Sequence, residues 1–391
     1  MNVRQLQNLD PAGWTELLTQ SPETNDVRVE EVTAEPFERG HLMTRYWLTL
    51  ANHTDPITFI GKKTTPAEAY FYRHLAAELP ELAPHPYMTD VLGAEGWILL
   101  REIAQDRPVD HWQEPEFDRL MAGLSALHAT FWNQEAYLDQ LEWLPNFRTT
   151  DRTLVSLRFE KRVSSYISDH AMQRAGLFAE PLVKTASALR RLIQLESWPD
   201  VYDERHLDAL RFLLDDPLPA LQPLLEMPFS LLHGQPSPHH WHLNMFDQCF
   251  LFDWQQVYIG PPVFELAGML ENIAWWQNEA AEPPGHRQQQ QLEETLIDTY
   301  LLQMGAELGS EFTSRRLRQT LASARCFHIL THGLPRYTAW LDAPPSPSLN
   351  WARLKEMDEA DLFAGGYPTL AKLRRQLKTL FNRFLQEYMQ M

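Results

Sequence analysis

The feature that most constrains the fold of this chain is a change in the spacing of its apolar residues near residue 103. Up to that point, apolar and polar residues alternate in short runs, which is the pattern of half-buried strands. Beyond it, apolar residues recur every three to four positions, as on the buried face of a helix. The sequence therefore predicts an α+β chain of two lobes, a small β-rich lobe of residues 1–103 and a larger helical lobe of residues 104–391.

The elements of the N-terminal lobe can be placed in order. Asp10 and Pro11 are typical of a helix start, and Thr65, Pro66 and Glu68 form the pattern of a capping box with proline at the first helical position. The resulting order, after the first helix, is strand-strand-strand-helix-strand-strand. The strands are predicted at about 27–32, 41–50, 57–63, 87–92 and 97–103.

The C-terminal lobe reads as helices interrupted by one β-like island, residues 229–254. Within the island, a polar loop precedes a hairpin with strands at about 241–246 and 249–252. The junction of two such lobes is the place where a ligand is expected. The helices are predicted at about 109–132, 151–174, 180–195, 203–216, 264–276, 292–304, 315–330 and 370–384.

Composition excludes several classes of protein. The 391 residues include 34 basic and 52 acidic side chains, a net charge of −18, which argues against a nucleic acid partner because phosphate binding needs a basic surface. Two cysteines, Cys249 and Cys326, are too few for a disulfide scaffold. No apolar run is long enough for a membrane helix, and the first residues lack the apolar core of a secretory signal. A cytoplasmic protein without a membrane partner is expected.

The island carries most of the candidate chemistry. Asp253 ends the second strand of the hairpin, where it should face the loop that contains Gln235 and His240. A different interpretation is a zinc site, because His240 and His242 would share a strand face and could join Asp253 as ligands. No H-E-x-x-H helix accompanies these histidines, and His233 reads as a structural residue bonded to backbone.

The motifs of the island resemble those of a known family. His233-Gly234, then Asp253-Trp254, then a Gly-Pro-Pro turn and Glu265-Leu266-Ala267 resemble the catalytic core of the aminoglycoside phosphotransferase and choline kinase family, over about residues 25–275. The resemblance implies a protein-kinase-like fold. It also implies ATP-dependent phosphoryl transfer to a hydroxyl of a small molecule or peptide, with ATP or another nucleoside triphosphate and Mg²⁺ or Mn²⁺ as cofactors.

The N-terminal lobe extends the resemblance. By spacing to Glu68, Lys62 is similar to the family's strand lysine that contacts nucleotide phosphates. Lys63 is the alternative, because Gly61 would then share its strand face with the lysine. The segment that ends at Glu102 and Ile103 resembles the hinge whose backbone holds the nucleobase. No glycine-rich phosphate loop is evident, since residues 34–41 contain a single glycine.

Two positions depart from the family pattern. Gln235 stands where the family has its catalytic aspartate, and His240 stands where it has a metal-binding asparagine, whereas the metal-binding aspartate is present as Asp253. Glutamine cannot accept a proton, so general-base assistance of about 10²–10⁴ in rate would be lost. An imidazole can bind a divalent ion, although Mg²⁺ prefers oxygen ligands.

Two functions therefore stay open at this point. One is a phosphotransferase in which Lys62 or Lys63 holds the phosphates, Asp253 with His240 holds the metal, and Gln235 marks the acceptor hydroxyl. The other is a degenerate pseudokinase that binds a nucleotide or peptide and acts through a partner protein. The sequence does not identify the acceptor. Trp275, Trp276 and Trp351 could line a pocket for a cationic ligand, and core packing explains them equally well.

Overall fold

The computed structural model describes residues 6, 8–21, 24–37, 42–51, 53–103, 107–148, 167–194, 197–279, 284–337, 352 and 355–391. The chain divides into two compact units. The first comprises residues 1–131, 140–144 and 233–258, so it continues past the predicted boundary at residue 103 and includes the hairpin of the island. The second comprises residues 132–139, 145–232 and 259–391.

The secondary structure has the predicted order in both parts of the chain. The strands are β1 (Val29–Pro36), β2 (Met43–Leu50), β3 (Ile57–Thr64), β4 (Pro86–Leu92), β5 (Glu95–Arg101), β6 (Ser230–Leu232), β7 (Trp241–Leu243), β8 (Cys249–Leu251) and β9 (Tyr258–Gly260). The helices are α1 (Pro11–Leu18), α2 (Pro66–His74), α3 (Glu114–Thr130), α4 (Glu135–Leu138), α5 (Asp169–Arg174), α6 (Ala179–Gln194), α7 (Glu204–Asp215), α8 (Leu218–Leu225), α9 (Pro262–Glu279), α10 (His286–Leu308), α11 (Ser314–His328), α12 (Glu359–Ala364) and α13 (Pro368–Tyr388).

The first unit is built on a five-stranded antiparallel sheet with the strand order β1-β2-β3-β5-β4. Alternation along the strands turns Tyr46, Phe59 and Leu99 into a core that α1 covers with Trp14. The Trp14 and Tyr46 ring centroids lie 5.0 Å apart. Each large side chain buried in this way contributes about 2–3 kcal/mol, so the sheet is anchored on this face.

Helix α2 covers the other face of the sheet. Thr65 caps it by accepting a hydrogen bond from the backbone N–H of Glu68, and Pro66 occupies its first position. Its Phe71 stacks on Trp254, with centroids 3.8 Å apart and an interplanar angle of 11°. Gly96 of β5 is required here, because a Cβ atom on it would lie 2.1 Å from the carbonyl oxygen of Thr65. The helix is therefore fixed against both the sheet and the segment after β8.

The hairpin of strands β7 and β8 packs on α3 within the first unit. Trp241 pairs with Leu251 across the hairpin and fills the space that the missing side chain of Gly123 leaves on α3. Strand β7 ends three residues earlier than predicted, because the Asn244 side-chain oxygen accepts the N–H groups of Phe246 and Gln248, at 3.0 Å each. Both hydrogen bonds turn the chain before the predicted strand is complete.

The second unit is mainly helical. Helices α6, α7, α9, α10, α11 and α13 confirm the corresponding helical predictions, and α11 continues into a π-helical turn, Ile329–Gly333. Helix α8 was not predicted, and its interior Pro223 argues against a helix. Of the predicted helix 151–174, residues 151–166 lie outside the described part of the chain, and so does Trp351. Among the described residues, no helix is both long and apolar enough to cross a membrane.

Candidate active site

The site is centred on Lys62, which the alternation of β3 turns toward the inside of the first unit. Its backbone pairs with Ile98 of β5. The ammonium group donates hydrogen bonds to Glu68, with 2.8 Å between Nζ and Oε2, and to Asp253, with 2.6 Å between Nζ and Oδ1. Two charged groups from neighbouring elements, Lys62 and Glu68, thus meet Asp253, which lies 191 positions after Lys62.

Glu68 comes from the first turn of α2 and is 1% exposed. Its carboxylate accepts from Lys62 and from the hydroxyl of Thr64, the last residue of β3. The predicted capping box is therefore only half formed: Thr65 caps the helix, but the Glu68 side chain turns to Lys62 rather than back to the helix start. A buried ion pair outweighs a capping bond at this position.

Asp253 follows β8 and has left-handed backbone angles, φ 69° and ψ 55°. This region is uncommon for a residue other than glycine and costs on the order of 1 kcal/mol. The conformation is held by the bonds of its side chain, since Oδ1 accepts from Lys62 and also from the amide nitrogen of Gln255 at 2.6 Å. The strained backbone therefore aims the carboxylate at the cavity.

The three groups shift one another's pKa values, and for Glu68 burial raises the pKa and outweighs the lowering effect of Lys62, so that the pKa lies above its ordinary value. Burial lowers the pKa of Lys62, but the carboxylates of Glu68 and Asp253 outweigh it, so that the pKa lies above its ordinary value. For Asp253, burial raises the pKa, and the charge and hydrogen bond of Lys62 outweigh this effect, so that the pKa lies below its ordinary value. Lys62 is therefore a cation and Asp253 an anion at neutral pH.

Of the remaining candidates, His240 lies close to Asp253, whereas Gln235 is exposed and its side chain contacts Gln256 instead. The Nε2–H group of His233 donates to the carbonyl oxygen of Phe252 at 2.8 Å, which confirms its structural role. His240 donates from Nδ1 to the carbonyl oxygen of Gln235 at 2.8 Å, and its Nε2 lies 3.7 Å from Asp253 Oδ2. The side chain of Gln235 accepts from the amide of Gln256 at 3.2 Å.

A cavity of about 620 Å³ opens beside these groups, and all of its walls belong to the first unit. Its size falls within the range of small-molecule sites, about 300–1,000 Å³. One side is apolar and the other carries the charged cluster. The lining residues include Ile60, Lys62, Glu68, Ile98, Leu100, Glu102, Ile103, His239, His240, Phe252, Asp253 and Gln255.

Lys63 also borders the cavity, but its side chain goes elsewhere. It forms an ion pair with Glu95, and its ammonium group lies 5.4 Å from the ring centroid of Trp97. The structure thus brings Lys62, and not Lys63, to Glu68 and Asp253.

Sequence reasoning missed the partner of Glu102, which the family resemblance assigned to the nucleobase segment. Arg45 of β2 donates two hydrogen bonds to the Glu102 carboxylate, at 2.9 and 2.5 Å, and its guanidinium lies 4.2 Å from the ring centroid of Phe37. The N–H group of Glu102 donates to the carbonyl oxygen of Thr58 at 2.9 Å. Arg45 and Glu102 lie 57 positions apart, and no local sequence pattern indicates their contact.

Of the tryptophans that were predicted to line a pocket for a cationic ligand, Trp275 has a cationic neighbour within the chain. The guanidinium of Arg336 lies 4.7 Å from the ring centroid of Trp275, within the second unit. One face of this ring is thus covered by a cation of the chain itself.

Comparisons with known proteins agree with this architecture. A family model described as "Phosphotransferase enzyme family" matches residues 33–301, and no curated protein sequence matches the chain. Among solved structures, the chain is similar to an aminoglycoside phosphotransferase from Alicyclobacillus acidocaldarius (12% identity, 93% of each chain covered, TM-score 0.48). It is also similar to a choline kinase from Cryptosporidium parvum (12% identity, 96% of this chain and 98% of that chain, TM-score 0.49).

The family model covers well over half of the 391 residues and includes the sheet, the hairpin and the charged cluster. The family resemblance seen in the sequence motifs, and the kinase-like fold that it implied, are thereby confirmed. This chain belongs to the phosphotransferase enzyme family.

Proposed function

We propose that the chain binds ATP or another nucleoside triphosphate in the cavity beside Lys62 and transfers its terminal phosphoryl group to a hydroxyl of a small molecule or peptide. The observation that carries the proposal is the convergence of Lys62, Glu68 and Asp253 on one wall of that cavity. A buried ammonium group held by two carboxylates is a fixed cation for phosphate oxygens, and phosphoryl transfer depends mostly on such positioning.

The nucleobase would lie at the apolar end of the cavity, between Ile60, Leu100 and Ile103. There it would contact the backbone of Glu102 and Ile103 just after β5. Because the N–H group of Glu102 already bonds Thr58, its carbonyl oxygen is the group left for the base. The ion pair between Arg45 and Glu102 fixes this segment.

The residues present also fit a divalent metal ion. Asp253 Oδ2 and His240 Nε2 lie 3.7 Å apart on the cavity wall, and both atom types are metal ligands. Within the described ranges, no group of three or more His, Cys, Asp or Glu could hold an ion, so phosphate and water must supply the other ligands. When bound, the ion would neutralise charge on the phosphates.

In the transfer, the acceptor oxygen forms a bond to phosphorus while the bond from that phosphorus to the leaving diphosphate breaks. Gln235 orients the acceptor as a neutral hydrogen-bonding group, and Gln256 holds its side chain. Gln235 cannot accept the hydroxyl proton, so the proton passes to water or to a phosphate oxygen. A loose transition state tolerates this late proton loss, at a reduced rate.

The proposal is tested by nucleotide binding and turnover of matched lysine variants. ATP with Mn²⁺ should raise the melting temperature of the natural chain, because a ligand of the folded state stabilises it. Lys62→Ala should weaken nucleotide binding about 10–100-fold, as expected for loss of a charged hydrogen bond. Lys63→Ala should change binding less than about twofold, since Lys63 is paired with Glu95. Equal losses in the two variants would overturn the placement.

Turnover separates the enzyme from a pseudokinase that acts with a partner protein. The observation that favours the pseudokinase is the pairing of Gln235 with Gln256 in place of a base. If the chain is an enzyme, release of labelled phosphate from ATP is measurable, and Gln235→Asp raises it by about tenfold or more. Binding of nucleotide without turnover in either form would leave only the scaffold.

A further inference from the structure

We propose that His240 and Asp253 form a divalent-cation site that binds Mn²⁺ in preference to Mg²⁺ through a nitrogen ligand, and that the site is complete only when nucleotide phosphates are present. The inference rests on the proposed nucleotide binding and adds the identity of the ion. It is carried by the hydrogen bonds that fix the two side chains.

The first observation is the hydrogen bond of His240, which determines the tautomer of its ring. A carbonyl oxygen can only accept, so the 2.8 Å contact between Nδ1 of His240 and the carbonyl oxygen of Gln235 places the proton on Nδ1. In the neutral ring, Nε2 then carries a free lone pair, and it is Nε2 that faces Asp253. A backbone carbonyl that orients an imidazole in this way is the usual support of a histidine metal ligand. Gln235 therefore acts as a positioning residue through its backbone.

The second observation is that the two carboxylate oxygens of Asp253 have different neighbours. Oδ1 accepts from Lys62 and Gln255, both at 2.6 Å, whereas Oδ2 is the oxygen that faces His240. The 3.7 Å between Oδ2 and Nε2 is too long for a hydrogen bond. One ion with bonds of about 2.1 Å spans up to about 4.2 Å, so it can reach both atoms.

The nitrogen ligand sets the preference between ions. Mg²⁺ is a hard ion that favours six oxygen ligands, whereas first-row transition ions accept imidazole readily. Two protein ligands are too few to hold either ion alone, and the described residues supply no third His, Cys, Asp or Glu. Phosphate oxygens must complete the shell, so ion binding and nucleotide binding should be strongly coupled.

The test uses Mn²⁺ and a non-hydrolysable ATP analogue with the full chain. Pulsed electron paramagnetic resonance should detect coupling of Mn²⁺ to a histidine nitrogen, identified by its change when the protein carries ¹⁵N-labelled histidine. His240→Asn, which offers an amide oxygen instead, should lose the coupling. His239→Asn, a neighbour on the same cavity wall, should keep it.

Binding affinities provide the second readout. In the natural chain, the analogue should bind at least about tenfold more tightly with Mn²⁺ than with Mg²⁺, and His240→Asn should reduce this ratio to near that of the free nucleotide complexes. Bound nucleotide without histidine coupling, or a ratio unchanged in His240→Asn, would overturn the inference and leave nucleotide binding intact. If the analogue fails to shift the melting temperature with either ion, the proposed function and the inference both fail. Circular dichroism checks that each variant is folded.

Discussion

At the scale of single residues, the geometry of the loop before β7 depends on Gly234. Its φ is +88°, and a Cβ atom there would lie 2.0 Å from the carbonyl oxygen of Gln256. The loop thus passes so close to the segment after Asp253 that only glycine fits. This approach brings Gln235 to Gln256 and, through its carbonyl, His240 to Asp253.

Gly234→Ala should therefore lower the free energy of unfolding by about 3 kcal/mol or more, because backbone strain and a backbone clash add together. Gly93→Ala is the matched control, since Gly93 also has positive φ but a Cβ atom on it meets nothing within 4 Å. Its cost should be about 1 kcal/mol, from strain alone. Urea unfolding of both variants measures the difference, and equal costs would contradict the close approach.

Some contacts of single residues could not be predicted from the sequence. Spacing to Glu68 favoured Lys62, as the structure has it, but left Lys63 as the alternative, because adjacent strand residues point to opposite faces and a shift of one residue exchanges them. The contact of Lys62 with Asp253 joins residues 191 positions apart. The motif resemblance implied that both residues serve one nucleotide site but not that they form a direct ion pair, and the bonds from Arg45 to Glu102 and from Gln255 to Asp253 had no such guide.

At the scale of elements, the second unit contains an ion network that joins α10, α11 and α13. Glu293 accepts from Arg325 and, at 2.8 and 2.7 Å, from Arg383. Arg325 also donates to Glu387 at 2.8 Å. Burial raises the pKa of Glu293, but the two guanidinium groups outweigh it and hold the pKa below its ordinary value. The network thus fixes three helices to one another.

Removing the carboxylate of Glu293 should strongly lower the free energy of unfolding. Glu293→Ala leaves Arg325 and Arg383 without their shared partner, and breaking a buried ion pair in this way costs about 3–5 kcal/mol. Asp298→Ala, which breaks the exposed pair of the same helix with Arg318, should cost less than about 1 kcal/mol. Thermal unfolding of the two variants checks the contrast. A similar small loss in both would contradict a stabilising role of the network.

Elements were predictable where their signals are local. The strands of the sheet follow from alternation, and α1 and α2 follow from Asp10 and Thr65, whose side chains do cap them. The turn after β7 and the side chain of Glu68 differ from prediction because Asn244 and Lys62 offer hydrogen bonds that the local pattern does not show. Helix α8 was missed because its interior Pro223 acts against helix propensity, and tertiary packing overrides it.

At the scale of the whole molecule, stability should depend on pH through two buried histidines. His328 and His332 stack on the π-helical turn with ring centroids 4.6 Å apart and planes 3° apart. Burial lowers the pKa of both rings, and the charge of Arg336 lowers it further, to about 4 for His332. Both rings are therefore neutral in the folded protein at neutral pH.

Because both rings are neutral in the folded protein, the free energy of unfolding should be lower in mild acid. The unfolded chain binds a proton at each histidine near pH 6.5, so this contribution to stability is complete above that pH and is lost as the pH falls toward 4. Between pH 7.5 and 5, the free energy of unfolding should fall by about 2 kcal/mol for His332 alone. Urea unfolding at the two pH values measures the loss, and His332→Asn should reduce it. A pH-independent stability would contradict the buried, neutral pair.

We propose that the amine of Lys62, held by Glu68 and Asp253, is the group of this chain that binds the nucleotide phosphates. A crystal structure of the full chain with Mn²⁺ and a non-hydrolysable ATP analogue tests it most directly. We expect a phosphate oxygen within hydrogen-bonding distance of Lys62 Nζ and the ion on Asp253. An analogue bound away from the cavity, or bound there with its phosphates turned from Lys62, would contradict it.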